Sequence, residues 1–257
     1  MSRQKQTHID KIVDQFSRQA IPFTHVAGHL DSIQTLVEMA GATNQDDVLD
    51  IACGPGLVAC EFARVSKHVT GIDITSAMIE RAGVRQAQKG LENVSWTVGD
   101  VSPLPFEDNS YSIVISRYSF HHFLEPQIVL KEMIRVCRPG GRVLVADIAI
   151  EAEKSAAFDK LEILRDPSHT HALTQAEFVA MFQASSLSNC RQSAYEVDIE
   201  LEAQLEASFP EFCDRAFLRE MITNDIGVND FGIQTRNIEG QVRYTVPIGV
   251  FVGSKAQ

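Results

Sequence analysis

The sequence contains no pair of cysteines at C-x-x-C spacing, and its cysteines are odd in number and widely scattered. A disulfide framework and a structural zinc site both depend on paired cysteines, so the pattern argues against either device. We therefore expect reduced, mostly buried thiols, no bound metal and a cytoplasmic setting. The five cysteines are Cys53, Cys60, Cys137, Cys190 and Cys213.

Long apolar runs and positive charge are scarce as well. No stretch approaches the roughly 20 apolar residues that span a bilayer, and the first residues, MSRQKQTHIDK, are polar where a secretory signal has an apolar core. The formal net charge is −11 and the isoelectric point is about 5.2. Because such a chain repels a phosphate backbone, we expect neither nucleic acid nor membrane insertion, and a small molecule as the partner.

The pattern of apolar residues indicates an α/β fold. A chain of 257 residues that is 44% hydrophobic can bury a full core, and we expect one compact domain over 1–257. Between Asp47 and Ile150, strands of nearly continuous Val, Ile and Leu alternate with helices, which is typical of a parallel sheet covered on both faces. We divide the domain into amino-terminal helices over 1–45, a cofactor-binding core over 46–150, and substrate-side helices with the last two strands over 151–257.

The regions on either side of this core have helical patterns of their own. Apolar residues recur at helical spacing after a Thr-x-x-Asp start at Thr7, and a second helix includes Leu30 and ends at Gly41. A capping box that begins at Thr174 starts a later helix. The last part of the chain predicts a strand, one long amphipathic helix from about Glu202 to Ile226, and a final strand.

The segment VLDIACGPGLVA reads as a strand, a tight glycine turn and the start of a helix. Gly54, Gly56 and Ala59 fit the G-x-G-x-x-[GA] pattern of dinucleotide-binding turns, a weak signal by itself. Asp50 lies just before the turn, where it would repel a phosphate but can accept hydrogen bonds from an ammonium group and lie near a sulfonium. The turn is therefore better suited to S-adenosylmethionine than to a dinucleotide.

Two further carboxylates follow the next strands of the predicted sheet. Asp73 ends the second strand, at the spacing where an acidic side chain accepts hydrogen bonds from the two ribose hydroxyls. Asp100 ends the third strand and can accept a hydrogen bond from an adenine amino group, while the backbone N–H of Val101 faces the ring. A dehydrogenase has no general need for the acid at Asp100.

Together the segments VLDIACGPG, GIDIT, GDVSPLPFEDNSYS, SRYSFHHF and VCRPGGRVLVADI resemble the class I S-adenosylmethionine-dependent methyltransferases, in the branch that includes ubiquinone and menaquinone biosynthesis C-methyltransferases. The resemblance is strong over about Asp47 to Ile150 and weaker around RDPSHTHALTQAEF. It implies a Rossmann-like, seven-stranded sheet whose last strand, YTVPIGVFV, is antiparallel, with an amino-terminal helical lid. Ala52 departs from the family pattern, in which many members have glycine.

The resemblance also implies a set of cofactor contacts. It assigns the turn and Asp50 to the methionine end of the cofactor, Met78 to the neighbourhood of the adenine, and Ser116 or Arg117 to the segment after the fourth strand. The full set is Phe16, Asp50, Gly54, Gly56, Asp73, Ile74, Met78, Asp100, Val101, Ser116 and Arg117.

Several of these residues have structural alternatives. Asp50 can instead cap the following helix, and Arg117 can pair with a surface acid. Met78 and Phe16 can be ordinary core residues at helical spacing.

Histidines are the candidate catalytic residues. In the family, the segment after the fourth strand lies under the transferred methyl group, and neighbouring side chains there point in opposite directions. We therefore expect one member of the His121–His122 pair to face the acceptor, and choose His122. Asp166 and His169 are candidates for the border of the substrate pocket. His169 and His171 are poor metal ligands, because no cysteine or acid lies at ligand spacing.

These observations predict a methyltransferase that moves the methyl group of S-adenosylmethionine to an O, N or C atom of a small molecule and releases S-adenosylhomocysteine. The acceptor pocket is expected between the amino-terminal helix and the segment from Ile150 to Leu187. Two alternatives stay open from the sequence. One is a protein that binds the cofactor without transferring a methyl group, and the other is a nicotinamide-dependent oxidoreductase, for which Asp50 and Asp100 would be incidental.

Overall fold

The computed structural model describes residues 3–21 and 32–257, so Leu30 of the predicted second helix lies outside the described residues. Its strands are β1 (Asp47–Ile51), β2 (His68–Asp73), β3 (Val94–Val98), β4 (Tyr111–Arg117), β5 (Cys137–Ile148), β6 (Leu187–Glu200), β7 (Arg236–Ile238) and β8 (Gln241–Lys255). They form one sheet in the order β3-β2-β1-β4-β5-β8-β6, and β7 pairs with β8.

The direction of the strands confirms the predicted fold class. β1 pairs parallel with β2 and β4, as do β2 with β3 and β4 with β5. β8 lies between β5 and β6 and is antiparallel to both. The short strand β7 is an addition that the sequence did not predict, and without it the sheet has the seven strands and the antiparallel last strand of the expected Rossmann-like fold.

The helices are α1 (Arg3–Gln19), α2 (Ile33–Ala40), α3 (Leu57–Phe62), α4 (Ser76–Lys89), α5 (Pro126–Val136), α6 (Ala152–Arg165), α7 (Gln175–Gln183), α8 (Leu201–Glu206) and α9 (Arg215–Asn224). The predicted capping box is confirmed at α7, where Thr174 and Glu177 each accept a hydrogen bond from the other's backbone N–H.

The sheet buries side chains on both faces, as doubly wound folds do. Val48 and Leu144 pack in a cluster with residues of α2, α3, α6 and α9, whereas their neighbours Leu49 and Val145 pack with residues of α5 and α7 on the other face. Successive side chains of a strand point to opposite faces, so strands covered on both sides must be apolar at consecutive positions. This explains the continuous Val, Ile and Leu runs of the sequence.

Four helix boundaries differ from the sequence expectation. α1 begins at Arg3 and not at Thr7, whose hydroxyl donates to the Arg3 carbonyl one turn earlier. α3 ends at Phe62 and α5 at Val136, so RPGG belongs to β5. The long helix expected over Glu202–Ile226 is two helices, α8 and α9, because Pro210 disfavours helical backbone at the residue before it and Asp214 caps a new helix by accepting from the Phe217 N–H.

The strand order reverses between β1 and β4, and the carboxyl ends of these strands open a crevice there. The glycine turn between β1 and α3 borders this crevice. Among residues 3–21 and 32–257, none of the helices combines the length and the apolar character needed to cross a bilayer.

Candidate active site

A cavity of about 820 Å³ lies at the carboxyl ends of the parallel strands. Its lining comes from the segments after β1, β2, β3 and β4, from α1 and α6, and from β6, α8 and β8. The volume is near the upper end of the range of about 300–1,000 Å³ for small-molecule sites. The predicted residues that line it are Phe16, Asp50, Gly54, Asp73, Ile74, Met78, Asp100, Val101, Arg117 and His122.

The two glycines of the turn serve different purposes. Gly54 lines the cavity with φ of +51°, and a Cβ there would meet no atom within 4 Å, so a side chain would project into open space. A Cβ on Gly56, at φ of +74°, would lie 2.7 Å from the ring of Trp96 and 3.0 Å from Ala82. Gly56 does not line the cavity. This corrects its assignment to the cofactor, because its lack of a side chain lets α4 and Trp96 pack against the turn.

Asp50 is 1% exposed, and its Oδ2 atom has no hydrogen-bond partner among the described residues. The backbone N–H of Ala59, in the first turn of α3, lies near this carboxylate and opposes the rise of its pKa. Burial raises the pKa of Asp50 to about 8. A buried carboxylate with an unsatisfied oxygen that borders a cavity fits an ammonium group of a ligand.

Asp73 is held in place by the backbone around it. Its two carboxylate oxygens accept from the N–H of Gly54 at 2.9 Å and from the N–H of Thr75 at 2.8 Å. Burial raises the pKa of Asp73 although these two donors oppose the shift. The contact to Gly54 ties the end of β2 to the glycine turn. Met78 is 1% exposed, as a core residue is, and it also lines the cavity.

Asp100 joins the end of β3 to the first helix. It accepts from the Ser102 N–H at 3.0 Å and pairs with the Lys5 ammonium at 3.1 Å. Lys5 also donates to the Ser102 carbonyl oxygen at 2.6 Å. The predicted lid therefore contacts the same segment that was assigned to adenine.

At the end of β4, the structure separates the two residues that were assigned to the cofactor. Ser116 is fully buried, hydrogen-bonds the Ile51 carbonyl and the Ser119 hydroxyl, and does not line the cavity. This corrects its assignment, because neighbouring residues of a strand face opposite sides. Arg117 lines the cavity and donates to the hydroxyls of Tyr118 at 2.8 Å and Tyr195 at 3.2 Å.

Both histidines of the pair line the cavity, which corrects the expectation that only one does. The short 3₁₀ turn Phe120–His122 causes this, since it replaces the strand alternation on which the expectation rested. The turn is anchored by Asp147 at the end of β5, which accepts from the N–H groups of Ser119 and Phe120, both at 2.7 Å, and from His121 Nδ1 at 2.6 Å.

His121 and Asp147 form a buried dyad. Because Nδ1 donates to the carboxylate, Nε2 of His121 is the proton-accepting nitrogen, and it hydrogen-bonds no described residue. Burial opposes the charged imidazolium, but the Asp147 carboxylate outweighs this, so the pKa of His121 is raised above its usual 6.5. Sequence reasoning missed the dyad; the signal was the aspartate that ends the fifth strand at the same sheet edge.

His122 has a different environment. Its Nδ1 donates to the Ser168 carbonyl at 3.1 Å, and Phe16 packs edge-on against its ring at 5.0 Å between centroids. Burial and the neighbouring His121 lower the pKa of His122 far below its usual value. His122 is therefore neutral at physiological pH, and Phe16 contacts it rather than the residues assigned to adenine.

His169 does not line the cavity, which corrects its candidate role at the acceptor. Its side chain is fully buried, and Nε2 contacts Asp159 at 2.7 Å; His171 contacts the other oxygen of Asp159 at 2.6 Å. The same loop supports the histidine pair, because Thr170 donates to the His121 carbonyl. In the described part of the chain, no group of three or more His, Cys, Asp or Glu side chains is placed to hold a metal ion.

The helix α1 covers the length of the cavity. Besides the Lys5–Asp100 pair, His8 donates to the His122 carbonyl at 2.7 Å, Gln15 to the Phe209 carbonyl at 3.1 Å, and Gln19 to the Asp166 carboxylate at 3.0 Å. At 1.5 Å per residue, Lys5 and Gln19 are about 21 Å apart along the helix. Asp166, a candidate from the sequence, does line the cavity.

One part of the cavity, which we call the far chamber, is formed by α6, β6, α8 and β8, the elements beside the Phe209 and Asp166 contacts of Gln15 and Gln19. It is mostly apolar and is lined by Phe158, Glu162, Arg165, Val197, Ile199, Gln204, Tyr244, Val246 and Ile248. Sequence reasoning placed the acceptor pocket at α1 and at 150–187 but missed the contributions of β6, α8 and β8, because nothing local marks which face of these late strands meets a cavity.

Comparison with known proteins gives a consistent result. A family model described as a methyltransferase domain matches residues 42–204. The chain is 34% identical over 161 residues to the uncharacterized methyltransferase YcgJ of Bacillus subtilis, a match that covers 61% of this chain and 63% of that protein. It is 36% identical over 114 residues to the ubiquinone/menaquinone biosynthesis C-methyltransferase UbiE of Bdellovibrio bacteriovorus, with 44% of this chain and 48% of that protein covered. The aligned part thus spans about half to three fifths of the length of these relatives.

The fold agrees with the sequence match. The crystal structure of YcgJ from Bacillus subtilis superimposes with a TM-score of 0.77 and 26% sequence identity, over 88% of this chain and 98% of that one.

Proposed function

The chain belongs to the methyltransferase domain family, and on that premise we propose that it transfers the methyl group of S-adenosylmethionine to a small-molecule acceptor. The observation that carries the proposal is the buried Asp50 carboxylate with its unsatisfied oxygen beside the glycine turn. An ionised phosphate has no proton to donate to this oxygen, whereas the ammonium group of the cofactor supplies the missing donor.

Three carboxylates would hold the cofactor. Asp50 faces the ammonium group, Asp73 the ribose hydroxyls and Asp100 the adenine amino group, while Gly54 leaves room for close approach of the ligand to the backbone. When bound, the cofactor supplies an activated methyl group on a positively charged sulfur. The protein's own contribution is to align the acceptor with that group and to exclude water. The helix α1 covers the cavity and would help with both.

The His121–Asp147 dyad is proposed to accept the acceptor's proton. Asp147 fixes the tautomer that leaves Nε2 of His121 free to accept, and both groups are held by the turn after β4. His122, which is neutral and donates to Ser168, is proposed to shape the pocket beside it rather than to act as the base.

The proposal is tested by thermal-shift measurements with S-adenosylmethionine, S-adenosylhomocysteine, NAD and NADP. We expect the two methionine-derived ligands to raise the melting temperature and the two dinucleotides to leave it unchanged. Stabilisation by NAD or NADP alone would contradict the proposal. Release of S-adenosylhomocysteine in the presence of an acceptor library then distinguishes a methyltransferase from a protein that only binds the cofactor.

A further inference from the structure

The far chamber has a floor that extends beyond the parallel strands. β5 ends where Ile148 pairs with Ile248 of β8, but β8 continues its pairing with β6 as far as Arg243 and Glu200. Ile248, Val246 and Tyr244 are alternate residues of β8, so their side chains share the face that lines the cavity. Ile248 lies beside Ile148, the last residue of β5 and the neighbour of Asp147 in the dyad. At about 3.3 Å per residue, Tyr244 lies about 13 Å from Ile248 along β8.

The middle of this floor is apolar, and its far end is not. Val197 and Ile199 of β6 lie beside Val246 and Tyr244 in register, and Phe158 of α6 lines the same chamber. At the far end, Gln204 of α8 is 7% exposed and lines the cavity, yet its Oε1 atom hydrogen-bonds nothing among the described residues. An unsatisfied buried amide is costly, so it indicates a ligand group that completes it.

Tyr244 adds a second polar group at the same end. Tyr244 is 5% exposed and pairs in register with Ile199, near the end of β6, and α8 with Gln204 follows that strand directly. Burial raises the pKa of the Tyr244 phenol, which keeps the hydroxyl neutral. The hydroxyl is in no hydrogen bond within residues 3–21 and 32–257. An amide and a phenol can together donate to and accept from an uncharged polar group.

The charges of the cavity disfavour an anion at this end. The Arg165 guanidinium makes a two-point pair with Glu162, at 2.9 and 2.5 Å, and Asp166 lies next to it in sequence. Lys5 contacts Asp100, and Arg117 contacts Tyr118 and Tyr195. Arg117 lies at the other end of the floor, because its partner Tyr195 pairs in register with Ile248. At the far end, Arg165 is already paired with Glu162, so a ligand anion there would be buried beside carboxylates without a cation of its own.

We infer that Gln204 and Tyr244 determine acceptor specificity by hydrogen-bonding an uncharged polar group at the far end of an elongated, otherwise apolar acceptor whose reacting hydroxyl faces His121. The inference rests on the proposed function and adds the class of acceptor to it. The acceptor that fits is neutral and apolar along its length, with polar groups only at its two ends.

The test uses para-pentylphenol and three derivatives that carry a hydroxyl, a carboxamide or a carboxylate at the end of the pentyl chain. Their affinities are measured by calorimetry on the protein loaded with S-adenosylhomocysteine, so that the readout does not depend on methyl transfer. We expect the hydroxyl and carboxamide derivatives to bind about fivefold or more tightly than para-pentylphenol, and the carboxylate to bind more weakly than it.

Two variants assign this preference to the named residues. Gln204→Met and Tyr244→Phe remove the polar atoms while keeping the volume, and each should bring the affinities of the hydroxyl derivative and para-pentylphenol closer together. Tyr111→Phe is the matched control, since Tyr111 begins β4 and lies outside the cavity, and it should keep the wild-type preference. The melting temperature of every variant establishes that it folds.

The inference is overturned if the wild-type protein shows no preference, binds none of the four probes, binds the carboxylate most tightly, or keeps its preference in both variants. Failure to bind S-adenosylhomocysteine would overturn the proposed function and this inference with it. Normal binding of S-adenosylhomocysteine without the end-group preference would overturn this inference alone.

Discussion

At the scale of single residues, the proposed contact between Asp50 and the ammonium group of the cofactor would link ligand binding to the release of a proton. Its carboxyl has a pKa of about 8 in the ligand-free protein because it is buried, and it is therefore largely protonated at neutral pH. A ligand ammonium group placed against it favours the ionised form and lowers the pKa. Binding of S-adenosylhomocysteine near pH 7 should therefore release a proton from Asp50.

Calorimetry in buffers of different ionisation enthalpy measures this release directly. Asp50→Asn should abolish it and weaken binding by about tenfold or more, since a charged hydrogen bond is lost. Methylthioadenosine, which lacks the amino acid part, is the control ligand for the wild-type protein and should bind without proton release. The same release with both ligands would mean that Asp50 does not face the ammonium group.

The dyad gives a second prediction at this scale, concerning the pH dependence of turnover. A base must be neutral to accept a proton, so kcat/KM should rise with pH through the raised pKa of His121, above about 6.5. Asp147→Asn removes the charge that raises this pKa and should move the rise to lower pH. His121→Ala should eliminate the rise and lower turnover by about 10²- to 10⁴-fold.

His122→Ala is the comparison variant. Because burial and His121 keep His122 neutral, its loss should leave the position of the rise nearly unchanged, whatever it does to acceptor binding. A rise that disappears in His122→Ala and persists in His121→Ala would exchange the two roles.

At the scale of helices and strands, α1 is attached to the body through a few polar contacts. One end of the helix is held by the Lys5–Asp100 pair, and the other end by the contacts of Gln15 with Phe209 and of Gln19 with Asp166. The helix therefore extends along the cavity from Asp100 to the far chamber. A ligand bound in the cavity would add contacts to this helix, which lines it. Amide exchange over residues 7–20 should therefore be fast in the free protein and slow with S-adenosylhomocysteine bound.

Lys5→Met tests which contact closes the helix. Loss of this partly exposed ion pair should speed exchange in α1 of the free protein by about two- to fivefold. Asp10→Asn is the control on the same helix: Asp10 is exposed and accepts a hydrogen bond from Gln6 within α1, so the change should leave exchange near the wild-type rate. Equal protection of α1 with and without ligand would make it a fixed part of the core.

The sequence predicted the sheet and the carboxylates at its edge for the same reason. Asp50, Asp73 and Asp100 each lie within two residues of the carboxyl end of a parallel strand. Because these ends meet at one edge of the sheet, the convergence of the three carboxylates in one cavity follows from the fold. The residues that were misplaced depend on contacts that no local pattern shows. Gly56 accommodates Trp96 from a strand forty residues away, and Ser116 faces a neighbouring strand rather than the cavity.

The far chamber could not be predicted from periodicity. Gln204 was assigned to one long helix, and the break at Pro210 that produces the separate α8 determines where this side chain lies. Tyr244 reads as one residue of a buried strand, and its position at a cavity depends on β8 running past the end of β5.

At the scale of the whole molecule, buried carboxylates determine how stability depends on pH. For Asp147 and Glu162, burial alone would raise the pKa, but His121, Arg165 and backbone or side-chain donors lower it overall. Groups with lowered pKa values stabilise the fold above their unfolded values and lose that contribution as the pH falls through the folded values. The protein should therefore lose stability below about pH 4.

Asp50 and His121 act in the opposite direction. The pKa values of both groups are raised in the folded protein, so each group contributes most to the free energy of unfolding at lower pH. That stabilisation is lost as the pH rises through the folded pKa, which for Asp50 is about 8. The melting temperature of the ligand-free protein should accordingly be lower at pH 8 than at about pH 6. Asp50→Asn should reduce that difference, and a melting temperature that rises from pH 6 to pH 8 would contradict the assignment.

The chain contains a single tryptophan, Trp96, and its ring packs where Cβ atoms on Gly56 and Gly71 would lie. Its indole N–H donates to Gln86 at 2.7 Å, which fixes the ring against the back of the glycine turn. The tryptophan emission of the protein therefore comes from one residue, which contacts that turn and lies outside the cavity itself. A change in emission on adding ligand reports movement of the turn, so occupancy of this end of the cavity can be followed optically in the unlabelled protein, separately from events in the far chamber.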